Sequence, residues 1–444
     1  MNPGPDQINE HGQVVDEAIL KKDRLRFGIC TILDRSEESS MGGVPSVLIR
    51  GLGGNESHVG LFYTFLGLSS FSQWLGALIL QRTRSNQKAM IISMLIGAFF
   101  AALIVAAILV AAPGGGSHTM LWCYLILSAG FSATVGIQMN IETSWIGDLV
   151  PRNKLGWFNS FKTILTCLGM MGFSLVIGRW ADASPTFFTY AGIYGLLGFS
   201  FLWAAFIFRT ITDRAPKNAT FVSKGVDGGR RMDYTCFPMW CYIAYFFFWS
   251  GSRTAFFAFI PLYLIDEFDF SMTGIAWLSN AQIVTSLVLL HFFGKIGDRM
   301  GSRIPLILVS GVVAFCLSLW IGSAWLGVVP VIVFMFINGG AGSVHGMLST
   351  NLALEYFPDK GRAAYIAFSR LCIGVITMAG PFLGGTFLHF FKGLHFQLWG
   401  AMLNNYHLLF AVCMVMGMCS VIPLLILGRF TRGQSADVSE VPQT

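Results

Sequence analysis

Between residues 34 and 38 the chain reads Asp34-Arg35-Ser36-Glu37-Glu38, three carboxylates and a guanidinium in a run whose flanks, 27–33 and 41–49, are apolar or small. In a helix Asp34, Glu37, Glu38 and Met41 share one face, at i, i+3, i+4 and i+7. Arg35 can pair with Glu38 at i+3. Three carboxylates crowded away from water cannot all stay ionised. One that loads and unloads a proton near neutral pH is what proton coupling requires, so Glu37 or Glu38 is expected to carry that proton. Other charged or polar groups stand singly in apolar runs: Gln138, Asn140 and Glu142, then Lys162, Arg253, His345 and Arg370. Gln138 and Glu142, four residues apart, share a helical face. Trp145 and the run Tyr245–Trp249 offer rings that could stack on a sugar or amphipathic body, although such runs more often face lipid or core.

These groups need helices to hold them, and composition says which kind. Of 444 residues, 54% are hydrophobic and 12% charged, against about 25% charged in soluble domains. Lipid is the solvent that tolerates so apolar a surface. Runs of about 20 mostly apolar residues fall near 58–81, 89–112, 119–148, 156–178, 185–209, 237–264, 273–295, 304–324, 328–356, 363–390 and 404–428, with a twelfth, charge-bearing span near 27–49. The fold class is therefore an all-α integral membrane protein of twelve transmembrane helices in two six-helix bundles.

Loop charge supports twelve. With the N-terminus in the cytoplasm, 22 of the 29 Lys and Arg fall in cytoplasmic segments and three, Arg50, Arg179 and Lys392, in external ones. Removing the first span would move Lys21–Arg26 outside, against the positive-inside rule. The expected organisation is a cytoplasmic tail (1–24), a first bundle (25–209), a polar cytoplasmic linker (210–236), a second bundle (237–428) and a cytoplasmic tail (429–444). An offset of 207 carries Asp148-Leu-Val-Pro151 onto Glu355-Tyr-Phe-Pro358, Phe161 onto Phe368, and Gln138 onto His345, the trace of an internal duplication.

The connector between spans eight and nine, Gly294-Lys-Ile-Gly-Asp298-Arg299-Met-Gly301-Ser-Arg303, resembles the Gly-x-x-x-Asp-Arg-x-Gly-x-Arg/Lys turn of the Major Facilitator Superfamily. Gly suits the tight reversal, and the Asp suits a neighbouring helix N-terminus. Gly380-Pro381-Phe-Leu-Gly384-Gly385 resembles a second element of that superfamily, where close helix packing is the alternative reading. The first half departs from the pattern, with Leu80 at the Asp position. The resemblance implies a cytoplasmic gate in the second half from Gly294, Asp298, Arg299, Gly301, Arg303 and Glu355. It also implies a central cavity lined by spans one, four, seven and ten and flanked by two, five, eight and eleven. The interiors of spans three, six, nine and twelve hold no Asp, Glu, Lys or Arg, which fits.

The expected substrate and proton-coupling cavity comprises Asp34, Arg35, Glu37, Glu38, Gln138, Glu142, Arg253 and His345. Counting back from Pro261 and Pro45 sets Arg253 opposite Glu37 and Glu38 by pseudo-symmetry, a charge pair that a substrate carboxylate or phosphate could replace. The expected function is secondary active transport of a small solute by alternating access, coupled to H+, in a bacterial-type inner membrane with both termini cytoplasmic. A non-transporting relative serving as sensor or partner subunit is the alternative. No cofactor, metal site, nucleic acid or oligomeric partner is expected: no HExxH or GxSxG occurs, and none of the nine cysteines forms a CxxC pair.

Overall fold

The computed structural model describes residues 17–34, 42–83, 85–112, 117–150, 155–211, 213, 234–358 and 362–428. Nearly all of them are helical. Span one comprises α1 (Glu17–Asp34) and α2 (Val44–Gly51), and span two α3 (Glu56–Leu66) and α4 (Leu68–Thr83). Spans three to six are single helices: α5 (Asn86–Ala111), α6 (His118–Leu149), α7 (Leu155–Ala183) and α8 (Phe187–Phe208). Span seven is α9 (Phe237–Phe257) with α10 (Ile260–Phe268), and span eight is α11 (Met272–Met300). Span nine is α12 (Arg303–Cys316) with α13 (Ser318–Leu326), span ten α14 (Val329–Tyr356) and span eleven α15 (Arg362–Phe390). Span twelve opens with α16 (Asn405–Cys419) and runs to Gly428. Among the described residues nine helices are long and apolar enough to cross a membrane, ten with the two parts of span seven joined. The chain is a multi-pass membrane protein.

Local chemistry sets the boundaries. Ser85 and Thr186 cap α5 and α8 by accepting from the amides of Lys88 and Thr189, which satisfies otherwise orphaned donors. Pro45 and Pro261 sit in the first turn of α2 and α10. Proline lacks the donor that would continue the preceding helix, and span seven bends there by 40°. Between spans eleven and twelve an antiparallel hairpin pairs β1 (His395–Leu398) with β2 (Ala401–Asn404). The sequence suggests only a loop there. The turn holds Trp399 at φ 46° and Gly400 at φ 82°, and a tryptophan is a poor advertisement for positive φ.

The chain divides into two compact units, Met1–Val222 with Phe270–Trp277, and Ser223–Asp269 with Leu278–Thr444. In the first, span three packs against spans four and six, span two against four, and span one against five and six. Its apolar centre includes Phe27, Trp145, Phe158 and Phe208, with Phe27 edge-on to the other three at 5.5–6.0 Å. In the second, span nine packs against ten and twelve, and span seven against eleven and twelve. Each pairing in the second unit thus repeats one in the first, six spans later, as duplication requires. Span eleven lies directly on span seven: a Cβ at Gly380 would meet the Thr254 hydroxyl and lie 3.1 Å from the Gly251 carbonyl. The Gly-Pro-x-x-Gly-Gly element therefore works as a close-packing surface.

Candidate functional site

Two polar centres interrupt the apolar interior, one in each unit. In the first, Glu142 of span four and Lys162 of span five form an ion pair at 2.9 Å, with side-chain exposures of 4% and 21%. Gln138, one turn before Glu142, is turned to span three, where its Nε2 donates to the Ser93 carbonyl at 3.3 Å. Its Oε1 is buried with no hydrogen-bond partner among the described residues. The shared face of Gln138 and Glu142 therefore serves two neighbours, span three and span five. Trp145, considered above as a stacking platform, is wholly buried among phenylalanines and takes no such role.

In the second unit Arg253 stands in mid-span seven, half-buried. Its Nη1 donates to Asn338 Oδ1 on span ten at 2.7 Å. Its guanidinium carbon lies 5.2 Å from the Trp249 ring and 4.7 Å from the Phe257 ring, the residues one turn before and one turn after it. These are cation–π distances. His345 of span ten stacks on Trp249 at 4.5 Å and on Tyr245 at 5.7 Å, with Phe246 edge-on at 5.7 Å. Its Nε2 is buried with no partner among the described residues. Tyr245 is fixed through its hydroxyl to Ser310 Oγ at 2.8 Å. The aromatic run at 245–249 is thus divided: Tyr245 and Trp249 face inward, while Phe247 is 51% exposed. Gly342 leaves room beside the guanidinium, where a Cβ would lie 3.7 Å from Nη2.

Arg35, Glu37 and Glu38 lie outside the described residues. Asp34 ends α1, and its side chain, like those of Gly294–Met300, also lies outside them; Asp298 and Arg299 fall in that stretch. The rest of the expected gate is visible. Gly301 makes the turn at φ 70°. Glu355 accepts from the Ser302 amide at 3.2 Å and from its hydroxyl at 2.6 Å, placing an anion at the N-terminus of α12, where the helix dipole favours it. Arg303 was expected to join Glu355. Instead its guanidinium lies against Gly428, where span twelve ends and the dipole favours a cation. The first unit has a counterpart: Gln87 Nε2 donates to the carbonyls of Arg209 and Ile211 at 2.8 Å each, and Arg26 to that of Thr210 at 2.6 Å.

Three participants escaped the sequence reading. Asn338 is a lone amide in an apolar span, a signal that could have been used. Phe257 carries no such signal. Asp182, at the end of span five, accepts from the amides of Met272 at 2.7 Å and Thr273 at 2.9 Å; it caps α11 within the first unit, and only geometry reveals that.

The model of the Major Facilitator Superfamily matches residues 239–443. An uncharacterised transporter of Schizosaccharomyces pombe is 27% identical over 118 residues, 26% of this chain and 20% of that protein. The multidrug transporter protein MdtP of Bacillus subtilis is 25% identical over 114 residues, 26% of this chain and 21% of MdtP. The chain thus aligns with about a fifth of the length of each relative. Among solved structures, a point mutant of the nucleoside transporter NupG superposes with a TM-score of 0.71 at 13% identity, over 91% of this chain and 99% of NupG. At that identity the likeness is one of fold, the twelve-helix two-domain fold.

Proposed function

We propose that the chain is a member of the Major Facilitator Superfamily, whose model matches residues 239–443, and that it is a secondary active transporter that moves a small solute across the membrane by alternating access. The observation that carries the reading is the retention of a polar centre among the apolar spans of each unit, Glu142 with Lys162 and Arg253 with Asn338. Ionisable groups in a bilayer are costly and mark solute and ion pathways. The repeated six-span architecture suits units that rock about a central site. Names of related proteins, a multidrug transporter and a nucleoside transporter, support movement of small organic molecules.

Coupling is assigned to H+ through the carboxylates at Asp34, Glu37 and Glu38, whose crowding favours proton exchange. The basic bias of alternate loops supports cytoplasmic termini, a cytoplasmic linker at 210–236 and insertion in a bacterial-type inner membrane. The protein acts as a monomer without a cofactor. The test is charge movement in proteoliposomes on a solid-supported membrane, across a solute panel, for wild type and Glu38→Gln. Currents with one solute class that vanish in the variant support the reading. Currents that persist in both Glu37→Gln and Glu38→Gln remove proton coupling from this cluster. Failure of both current and radiolabelled counterflow for every solute favours the non-transporting reading that Leu80, in place of an Asp, keeps open.

A further inference from the structure

Arg253 is a cation without a counter-charge among the described residues. Its visible polar partner is the neutral amide oxygen of Asn338, and no described carboxylate pairs with it. A guanidinium has five N–H donors in a fixed planar fork, and one bond to Asn338 leaves most of them open. The rings of Trp249 and Phe257 lie against it, covering part of it without offering a carboxylate or carbonyl to accept its remaining N–H groups. The surroundings supply a second open polar group: His345, 8% exposed, lies on the same Trp249 ring with Nε2 unpartnered. Gly342 keeps the space beside Nη2 free of a side chain. Buried polar groups almost always find partners; here the spare donors of Arg253 and the buried His345 Nε2 are gathered around a single indole.

We infer that the transported solute is an organic carboxylate, its carboxylate received by the open edge of the Arg253 guanidinium between spans seven and ten, with His345 Nε2 as a further hydrogen-bonding group. A planar carboxylate matches the guanidinium fork in two parallel bonds, which a lysine at this position could not reproduce. The surrounding Trp249, Phe257 and Tyr245 favour a solute whose remaining body is apolar or aromatic. This rests on the transporter reading above but is read out by binding, so the two can fail separately.

The experiment uses purified full-length protein in lipid nanodiscs and matched acid–amide pairs as probes: benzoate with benzamide, indole-3-acetate with indole-3-acetamide, and hexanoate with hexanamide. Binding is followed by thermal shift and isothermal titration. At least one acid should bind ten-fold or more tighter than its amide, as charge-assisted bonds require. Arg253→Lys should reduce that preference at least ten-fold while retaining the charge. Should Arg253→Lys fail to fold, the acid–amide comparison on wild type still decides. Amides binding as well as acids, no acid binding at all, or a preference unchanged in a folded Arg253→Lys protein would each overturn the inference. Acid binding without uptake into proteoliposomes would keep the carboxylate site and remove the transporter reading instead.

Discussion

Replacing Lys162 by methionine, similar in length but uncharged, removes the cation that pairs with the carboxylate of Glu142 inside the first unit. The two charges are 2.9 Å apart, and only 4% of the Glu142 side chain is exposed. At an effective dielectric of about 20, opposite charges at that distance attract by about 6 kcal/mol. Desolvation opposes this by several kcal/mol per ion. Removing one partner leaves the desolvation of the other uncompensated, a loss of about 3–5 kcal/mol. Lys162→Met should therefore lower the unfolding free energy by about that amount in an SDS mixed-micelle titration, with Glu142→Gln losing a similar amount. The double variant, which strands no charge, should be more stable than either single variant. A double-mutant coupling below about 0.5 kcal/mol would mean that the two sites act independently. Such additivity would refute the pair as a stabilising contact.

Two further perturbations test contacts that the sequence did not announce. Asp182→Ala removes both acceptors from the amides of Met272 and Thr273. Each charge-assisted bond contributes about 1.5–3 kcal/mol, so hydrogen exchange at those two amides should quicken at least about ten-fold; unchanged exchange would rule out the cap. Gly380→Ala should lower the melting temperature, because its Cβ meets Thr254 and the Gly251 carbonyl and overpacking costs about 1–3 kcal/mol. Gly172→Ala is the control: nothing lies within 4 Å of a Cβ there, and alanine favours helix by up to about 1 kcal/mol. Equal melting shifts in the two variants would remove Gly380 from the packing argument.

The spans were legible because a bilayer demands a length of apolar residues and a charge bias between loops, both of which are properties of sequence alone. The break in span seven was not read from the sequence, which presents one run at 237–264, although Pro261 removes a donor where the helix bends. What composition does not encode is the rotation of each helix about its axis. Glu142 and Lys162 were both singled out, on spans four and five, but nothing in their spacing says that they meet. Arg253 was singled out and Asn338 was not, although the two are 2.7 Å apart, because a lone amide costs less in lipid than a lone charge and so stands out less. Arg303 went to the end of span twelve rather than to Glu355, because two helix termini of opposite polarity lay within reach and each drew its own counter-charge.

The internal repeat supplies the remaining argument. Gln138 and His345 are separated by the offset of 207 that relates the two halves. They lie in spans four and ten, which occupy corresponding places in the two units. Each buries a side-chain atom that has no partner among the described residues, Oε1 of Gln138 and Nε2 of His345. An unsatisfied buried polar group costs about 1–3 kcal/mol, and an apolar side chain at either position would avoid that cost. One such group is an accident that any fold can carry. Two related by the repeat offset, one turn from Glu142 in span four and against the aromatic bed of Arg253 in span ten, give each unit a hydrogen-bonding atom beside its polar centre that its own described side chains leave unused. Packing has no use for that capacity, and a solute or water does.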